Sequence, residues 1–231
     1  MRPLPLFHPP NLDIVSKNRL NVTKSEREWK MVKVSAILLG AGESKRMGVN
    51  KLRLPWGRTT VFEHCLNTLL RSDVHEVVVV LGSKTADLRD SLQKTGARVV
   101  INPFYRGGIS TSIRKGIRAV DPASEGILIA LGDQPFLKSV TINVLVRAFA
   151  RAFAVRDRTI IVPSFRGKRG HPVIFHRTLA KELLRLKGDV GARSILERHP
   201  GDVGSVRVRS EGVLKDIDTR EDYRKATTER R

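Results

Sequence analysis

One segment near the start of the chain carries residue types that could bind a phosphate chain. This segment, LGAGESKRMG at residues 39–48, is followed by Lys51. Glycines let the backbone approach a ligand closely, and successive amides can cradle anionic oxygens. Arg46 could clamp a phosphate with two hydrogen bonds, and Lys51 adds a point charge. The spacing fits neither the dinucleotide fingerprint nor the Walker loop, and the alternative is a tight glycine turn with a solvated basic face.

Aspartates in two further segments could hold a metal ion beside those phosphates. Asp133 lies in GDQP, directly after the apolar run GILIAL, and magnesium commonly takes one or two carboxylates together with phosphate oxygens. Asp216 and Asp218 lie in DIDT, where alternation along a strand would point both carboxylates to one side. The alternative for each segment is helix capping, by Asp133 in the first and by Asp218 or Thr219 in the second.

The elements that must position these segments alternate between strand and helix. We expect strands at 32–39, 76–81, 97–101, 126–131, 159–162, 173–175 and 206–209, and helices at 60–70, 84–94, 110–120, 140–155, 178–186 and from about residue 221. This order predicts an α/β protein with a three-layer α/β/α sandwich, in which a Rossmann-like, mostly parallel sheet has helices on both faces. Ligands in such folds bind beyond the carboxyl ends of the strands, where the segments above fall.

The chain divides into an extension and one domain. Residues 1–31 contain four prolines in the first ten positions and polar stretches after them, and we expect either a flexible arm or an upstream start codon chosen by mistake. Residues 32–231 are predicted to form a single domain, because 40% of the chain is hydrophobic and its length suits one core.

Composition excludes several classes of function. The single cysteine, Cys65, rules out an intrachain disulfide and a cysteine-rich zinc site. No apolar run reaches about 18 residues, so we expect a cytoplasmic protein without membrane contact. The net charge of +20 would attract polyanions or small phosphorylated substrates. The basic residues are scattered and only 5% of residues are aromatic, so specific binding of nucleic acid is not expected.

Six motifs in series resemble those of the molybdenum cofactor cytidylyltransferases, over about residues 32–223. LGAGESKRMG with Lys51 resembles the nucleotide loop of that family, NPFYRGGISTSIRKGI (102–117) the segment that reads the base, and LGDQP the metal-binding element. PSFRGKRGHPVIF (163–175) and GDVGAR (188–193) resemble the pieces that face the pterin substrate, and DIDTREDY resembles the closing motif. The resemblance implies a GT-A-like nucleotidyltransferase fold.

The resemblance also implies a role for individual residues. The catalytic residues would be Arg46, Lys51 and Asp133. The metal, Mg²⁺ or Mn²⁺, would be bound by Asp133, Asp216 and Asp218. His171 needs no role as a general base, because an attacking phosphate already carries negative charge. The nucleotide would be bound by Leu39, Gly40, Ala41, Gly42, Arg46, Lys51, Gly108, Ser110, Ser112 and Asp133, and the pterin by Arg169, Gly170, His171, Asp189 and Arg193.

The implied reaction moves a cytidylyl group from CTP to the phosphate of the molybdenum cofactor and releases pyrophosphate. A molybdenum hydroxylase or its insertion chaperone would then be the protein partner. Alanine at position 41 resembles the cytidylyl enzymes, whereas guanylyl enzymes have glycine there; Gly40 and Arg220 depart from the usual alanine and proline. The alternatives are a guanylyltransferase or sugar-phosphate nucleotidyltransferase of the same fold, and a non-catalytic chaperone that binds the cofactor.

Overall fold

The computed structural model describes residues 32–42, 44, 46–155 and 157–228, and it describes the side chains of all of these except 90 and 91. The predicted extension at residues 1–31 lies outside the described residues, so the domain boundary at residue 32 stays a prediction. Among the described helices, none combines the length and the apolar character needed to cross a bilayer.

Within the described residues, eight strands form one mixed sheet. Their order is β10-β7-β9-β6-β1-β4-β5, with β8 added beside β7, while β2 and β3 form a separate hairpin. β1 pairs in parallel with β4 and β6, and β9 runs antiparallel to both of its neighbours. The strands are β1 (Val34–Gly40), β2 (Pro55–Trp56), β3 (Thr59–Thr60), β4 (Glu76–Gly82), β5 (Arg98–Asn102), β6 (Gly126–Leu131), β7 (Ile160–Phe165), β8 (Lys168–Arg169), β9 (Val173–His176) and β10 (Val203–Arg207).

Helices cover both faces of the sheet, which confirms the predicted three-layer sandwich. Every residue of β1 is buried, as expected for a central strand covered on both sides. Its even-numbered residues, such as Leu38, pack in the core with α1 and α4, and the odd-numbered Ile37 and Leu39 pack in the core with α3, α5 and α6. The helices are α1 (Val61–Leu70), α2 (Arg89–Gln93), α3 (Ile109–Ile117), α4 (Ser139–Ala154), α5 (Ala180–Leu183), α6 (Arg193–Arg198) and α7 (Arg220–Thr228).

Helix α1 begins where the sequence supplies a capping box. The backbone N–H of Thr60 donates to Glu63 Oε2 at 2.8 Å, and the N–H of Glu63 donates to Thr60 Oγ1 at 3.2 Å. Two donors that the helix itself cannot satisfy are thereby paired. This start places Phe62 in the first turn, where its ring faces the ends of β1 and β6.

Two predicted helices each form as a 3₁₀ turn followed by a short α-helix. Residues 84–94 form a 3₁₀ helix at Ser83–Leu88 followed by the short α2, because the buried Thr85 hydroxyl accepts from the N–H of Gly82 and bonds the carbonyl of Gly40. Residues 178–186 likewise begin as a 3₁₀ turn at Arg177–Leu179 before α5, with the ring of His176 accepting from the N–H of Thr178.

The predicted strand in DIDT is wrong, since residues 215–218 belong to no strand or helix. The N–H of Ile217 donates to the carbonyl of Asp133 at 2.9 Å, a loop contact outside the sheet ladder. Sequence patterning also missed the β2–β3 hairpin, β8 and α6. These are elements of two to six residues, too short to show a clear periodicity.

Candidate active site

The nucleotide loop and the GDQP segment follow neighbouring parallel strands. Leu39 of β1 is in register with Leu131 of β6, and the N–H of Gly132 donates to the carbonyl of Leu39 at 3.0 Å. Because both strands end at the same edge of the sheet, the two segments lie side by side there.

A cavity of about 370 Å³ opens at this edge. It is lined by eleven residues for which the sequence predicted a role: Leu39, Gly40, Ala41, Gly42, Arg46, Lys51, Gly108, Ser112, Asp133, Asp189 and Asp218. Ser44, Leu52, Tyr105, Arg106, Ile109 and Leu131 also line it and were not predicted as site residues. The sequence could have indicated these six residues, because five lie inside the nucleotide loop, the 102–117 segment or LGDQP, and Leu52 follows Lys51 directly.

The loop after β1 turns back on itself and so delivers Lys51 to the cavity. Ser44 has a φ of 52°, the left-handed region that favours glycine, and Gly48 has a φ of 71°. The carbonyl of Ser44 accepts from the N–H of Met47 at 3.0 Å, and its hydroxyl accepts from the N–H of Lys51 at 3.2 Å. The backbone of Lys51 is therefore held while its side chain extends into the site.

Four charged side chains form the centre of the site. Lys51 Nζ lies 2.6 Å from Asp133 Oδ2 and 2.7 Å from Asp218 Oδ1, and Arg46 Nη2 lies 2.6 Å from Asp218 Oδ2. Burial opposes the charge of Lys51, but the two carboxylates outweigh it and raise the pKa of Lys51. Burial likewise opposes ionisation of Asp218, but Lys51 and Arg46 together lower the pKa of Asp218.

The carboxylates suit a divalent cation better than they suit helix capping. Asp133 Oδ1 is buried and has no hydrogen-bond partner among the described residues, and the N-cap position of α4 is Lys138, whose side chain makes no capping hydrogen bond. Burial first, then the charges of Asp218 and Asp133, raise the pKa of Asp216. An oxygen without a partner, on a carboxylate that shares Lys51 with a second carboxylate, could accept an oxygen-seeking ion such as Mg²⁺. Among the described side chains, no three His, Cys, Asp or Glu residues are grouped for metal binding, and the Lys51 ammonium bridges Asp133 and Asp218 instead.

Thr219, and not Asp218, caps the tail helix. The N–H of Asp222 donates to Thr219 Oγ1 at 3.1 Å, and the N–H of Thr219 donates to Asp222 Oδ2 at 2.8 Å. The capping alternative is therefore confirmed for Thr219. The Asp218 carboxylate is left to face Lys51 and Arg46.

In the segment predicted to read the base, some residues line the cavity and others are buried in the core. The hydroxyl of Ser112 accepts from Asn102 Nδ2 at 3.0 Å and lies at the cavity. Ser110 is fully buried, does not line the cavity, and its hydroxyl has no hydrogen-bond partner among the described residues. The structure therefore brings Gly108 and Ser112 to the site and leaves Ser110 behind them.

Asp189, predicted to face the pterin, is bonded to the start of α3. Its Oδ1 accepts from the N–H of Ile109 at 3.0 Å, and the carbonyl of Gly188 accepts from the N–H of Ser110 at 3.2 Å. Gly108 has a φ of 95°, and a Cβ on it would lie 2.4 Å from the carbonyl carbon of Gly188. The loop at residues 188–189 therefore packs directly on the turn that precedes α3.

The other four residues predicted for the pterin do not line the cavity. Arg169 is exposed on β8, and the Arg193 side chain is 84% exposed and pairs with Glu197. The N–H of Gly170 donates to the carbonyl of Pro163 at 2.9 Å, and His171 Nδ1 is buried without a partner among the described residues. Burial lowers the pKa of His171, and the charge of Asp133 opposes that shift.

Comparisons with known proteins match most of the chain. Residues 36–203 match the family model described as the MobA-like NTP transferase domain. Purine catabolism protein PucB of Bacillus subtilis (strain 168) is 34% identical over 81% of this chain and 92% of its own length. Nicotine blue oxidoreductase of Paenarthrobacter nicotinovorans is 31% identical over 80% and 92%. Molybdenum cofactor cytidylyltransferase of Escherichia coli (strain K12) is 26% identical over 84% and 95%.

Solved structures share the fold. The Mycobacterium sp. strain JC1 homologue of Mycobacterium tuberculosis Rv0371c has a TM-score of 0.74 at 29% identity, over 85% of this chain and 96% of its own. Rv0371c of M. tuberculosis H37Rv in complex with manganese has a TM-score of 0.70 at 28% identity, over 84% and 97%.

Proposed function

The chain belongs to the MobA-like NTP transferase family and is a nucleotidyltransferase, and from that premise we propose that it transfers a cytidylyl group from CTP to the phosphate of the molybdenum cofactor. The family membership confirms the family predicted from the six motifs. The observation that carries the proposal is the meeting of Lys51, Asp133 and Asp218 beside the glycine loop, in one cavity large enough for a nucleotide.

In the proposed reaction, the cofactor phosphate attacks the α-phosphorus of CTP and pyrophosphate leaves. No protein nucleophile is needed, so the chain contributes by positioning both substrates and neutralising charge. The glycine loop would hold the triphosphate, and Lys51 and Arg46 would stabilise the negative charge that grows on the departing pyrophosphate. Both cations already lie at the cavity.

A divalent cation, Mg²⁺ or Mn²⁺, is part of the proposal. Asp133, whose second oxygen has no partner, would hold it with Asp218, and Asp216 would add negative charge nearby. When bound, the ion would neutralise phosphate charge and orient the triphosphate. The manganese complex of the Rv0371c protein supports this part of the proposal.

The proposed base of the nucleotide and the proposed acceptor are supported by separate observations. Ala41 is buried at the cavity wall, where its methyl group would reduce the space for a base bound beside it. For the acceptor, we propose the molybdenum cofactor because of the named E. coli relative and the RGHP and GDVGAR motifs. The product would pass to a molybdenum hydroxylase or its insertion chaperone.

The primary test is pyrophosphate release from CTP, GTP and ATP in separate reactions, with Mg²⁺ and molybdenum cofactor as acceptor. We expect turnover with CTP. Turnover with GTP alone would replace the base assignment and favour the guanylyl alternative. Nucleotide binding without pyrophosphate release would contradict the assignment of the molybdenum cofactor as the acceptor. Sugar phosphates tested as acceptors would then distinguish another nucleotidyltransferase from a cofactor-binding chaperone.

Asp133→Asn is expected to lower kcat by at least about a hundredfold, because it removes the carboxylate charge while keeping the side-chain shape. The measurement is pyrophosphate release at saturating CTP and Mg²⁺. Asp87→Asn is the matched control, because Asp87 is an exposed aspartate that pairs with Arg53 outside the cavity. Asp133→Asn with activity within about tenfold of the unaltered protein would contradict the metal assignment.

Ala41→Gly is expected to shift base preference towards GTP, because removing the methyl group enlarges the cavity at its wall. The measurement is the ratio of kcat/KM for CTP to that for GTP, and a fall of about tenfold corresponds to about 1.4 kcal/mol of discrimination. Gly42→Ala, at the next position, is the control for a general disturbance of the loop, since no described atom beyond its chain neighbours lies within 4 Å of the added Cβ. An unchanged ratio in Ala41→Gly would show that another residue selects the base.

A further inference from the structure

The Lys51 ammonium occupies the position between the two carboxylates proposed to hold the metal. It lies 2.6 Å from Asp133 Oδ2 and 2.7 Å from Asp218 Oδ1, and its side chain is only 12% exposed. Asp133 comes from the loop after β6, and Asp218 comes from the segment before α7, so one cation joins two distant parts of the chain.

Three of the four oxygens of this carboxylate pair already have a cationic partner. Lys51 takes one oxygen of each aspartate, and Arg46 takes the second oxygen of Asp218. Only Asp133 Oδ1 remains without a partner among the described residues. A divalent ion placed here would compete for the same oxygens and be repelled by the ammonium at short range.

The geometry of Lys51 allows its charge to move while its backbone stays. Its N–H is fixed to Ser44 Oγ at 3.2 Å, whereas a lysine side chain is a flexible four-carbon stem with three rotatable donors. A triphosphate held by the glycine loop would place several negative charges beside this stem. The ammonium could then exchange its two carboxylates for phosphate oxygens without any movement of the backbone.

We propose that Lys51 is a placeholder cation, which weakens metal binding to Asp133 and Asp218 until the triphosphate of the nucleotide draws the ammonium away. Metal and nucleotide would therefore enter together rather than metal first. This inference rests on the proposed function, because it assumes a nucleotide at the glycine loop and a metal at the aspartates.

The test is a titration of the nucleotide-free full chain with Mn²⁺. The electron paramagnetic resonance signal of the free ion measures how much Mn²⁺ is bound. We expect Lys51→Met to bind Mn²⁺ at least about tenfold more tightly than the unaltered protein, because two carboxylates lose a competing cation. The double variant Lys51→Met/Asp133→Asn should lose that gain. Lys225→Met, which removes an exposed lysine paired with Glu221 on α7, is the matched control and should not change the affinity.

Equal or weaker Mn²⁺ binding by a folded Lys51→Met, checked by circular dichroism, would overturn the inference. A second measurement uses the unaltered protein and so does not depend on the variant folding. Lys51 should react faster with an amine-acylating reagent when Mn²⁺ is saturating, as read by peptide mass spectrometry. Unchanged or slower labelling of Lys51 would equally overturn the inference. Neither measurement requires turnover, so a failure of the cytidylyl assignment would remain distinguishable from a failure of the placeholder.

Discussion

At the scale of single residues, one aromatic ring explains why a glycine stands where the related motif has alanine. A Cβ on Gly40 would lie 2.5 Å from the ring of Phe62, and a Cβ on Gly132 would lie 2.5 Å from the same ring. Phe62 is fully buried in the first turn of α1. Its ring therefore packs against the ends of both β1 and β6, immediately before the glycine loop and Asp133.

Gly40→Ala is expected to destabilise the fold by about 1–3 kcal/mol, because the added methyl group overlaps a buried ring in a packed core. Chemical denaturation of the variant measures this cost. In the Gly40→Ala background, Phe62→Leu should recover part of the loss by removing ring atoms from the contact. Gly42→Ala, with open space around its Cβ, should leave stability almost unchanged. Equal stabilities of Gly40→Ala and Gly42→Ala would contradict the packing explanation.

At the scale of elements, the start of α3 depends on a loop from another part of the chain. Asp189 accepts from the N–H of Ile109 and lies at the positive end of the helix, where a carboxylate is favourable. The same turn carries Gly108 and Ser112 to the cavity. The predicted role of Asp189 in pterin binding stays untested, and its observed contact favours a role in positioning the nucleotide side of the site.

Asp189→Ala is expected to raise KM for CTP by about threefold to tenfold and to cost about 1 kcal/mol of stability, through loss of the side-chain bond at the helix start. The measurement is KM for CTP and for the acceptor separately, together with denaturation. Val190→Ala, in the same loop but 61% exposed and outside the cavity lining, is the control. A rise in KM for the acceptor alone would instead favour the pterin role predicted from the motif.

Helix α7 also holds the nucleotide loop. Arg220, which replaces the proline of the related motif, donates from Nε to the carbonyl of Met47 at 3.2 Å, and the hydroxyl of Tyr223 donates to the carbonyl of Pro55 at 2.6 Å. Met47 and Ile217 are buried in one small core with Trp56, Val61 and Ala226. The last helix therefore fixes both the loop that carries Arg46 and the segment that carries Asp218.

At the scale of the whole molecule, the net charge of +20 is expected to attract an anionic substrate. A positive surface raises the local concentration of a triphosphate, and added salt screens that attraction, with a Debye length of about 8 Å at physiological ionic strength. This explanation does not require a nucleic acid, which agrees with the scattered basic residues and the few aromatic residues of the sequence.

KM for CTP is accordingly expected to rise by about threefold to tenfold between low salt and roughly 0.3 M salt, while kcat changes little. Initial-rate measurements over a series of ionic strengths test this. Inhibition by cytidine, which has no phosphate, is the control and should not depend on salt. A KM for CTP that stays constant, together with a steep salt dependence of DNA or RNA binding, would turn attention to a polynucleotide partner.

Local patterns in the sequence determined the alternation of strands and helices, the three-layer architecture and the identity of the glycine and aspartate segments. These follow from short-range rules, because a buried parallel strand is a continuous apolar run and a phosphate-binding turn needs glycine and positive charge. Parallel strands also end at the same edge, so the approach of residues 39–42 to Asp133 could be predicted.

Only the tertiary structure decided how side chains from distant segments meet. The contact of Lys51 with Asp218 spans 167 positions, and the contact of Ile109 with Asp189 spans 80. Asp216 and Asp218 of DIDT were expected to share one side of a strand, yet the backbone of DIDT bonds the Asp133 loop instead of the sheet. Such contacts depend on the separation and angle of whole elements, to which no local periodicity refers, and they place the Lys51 ammonium between two carboxylates.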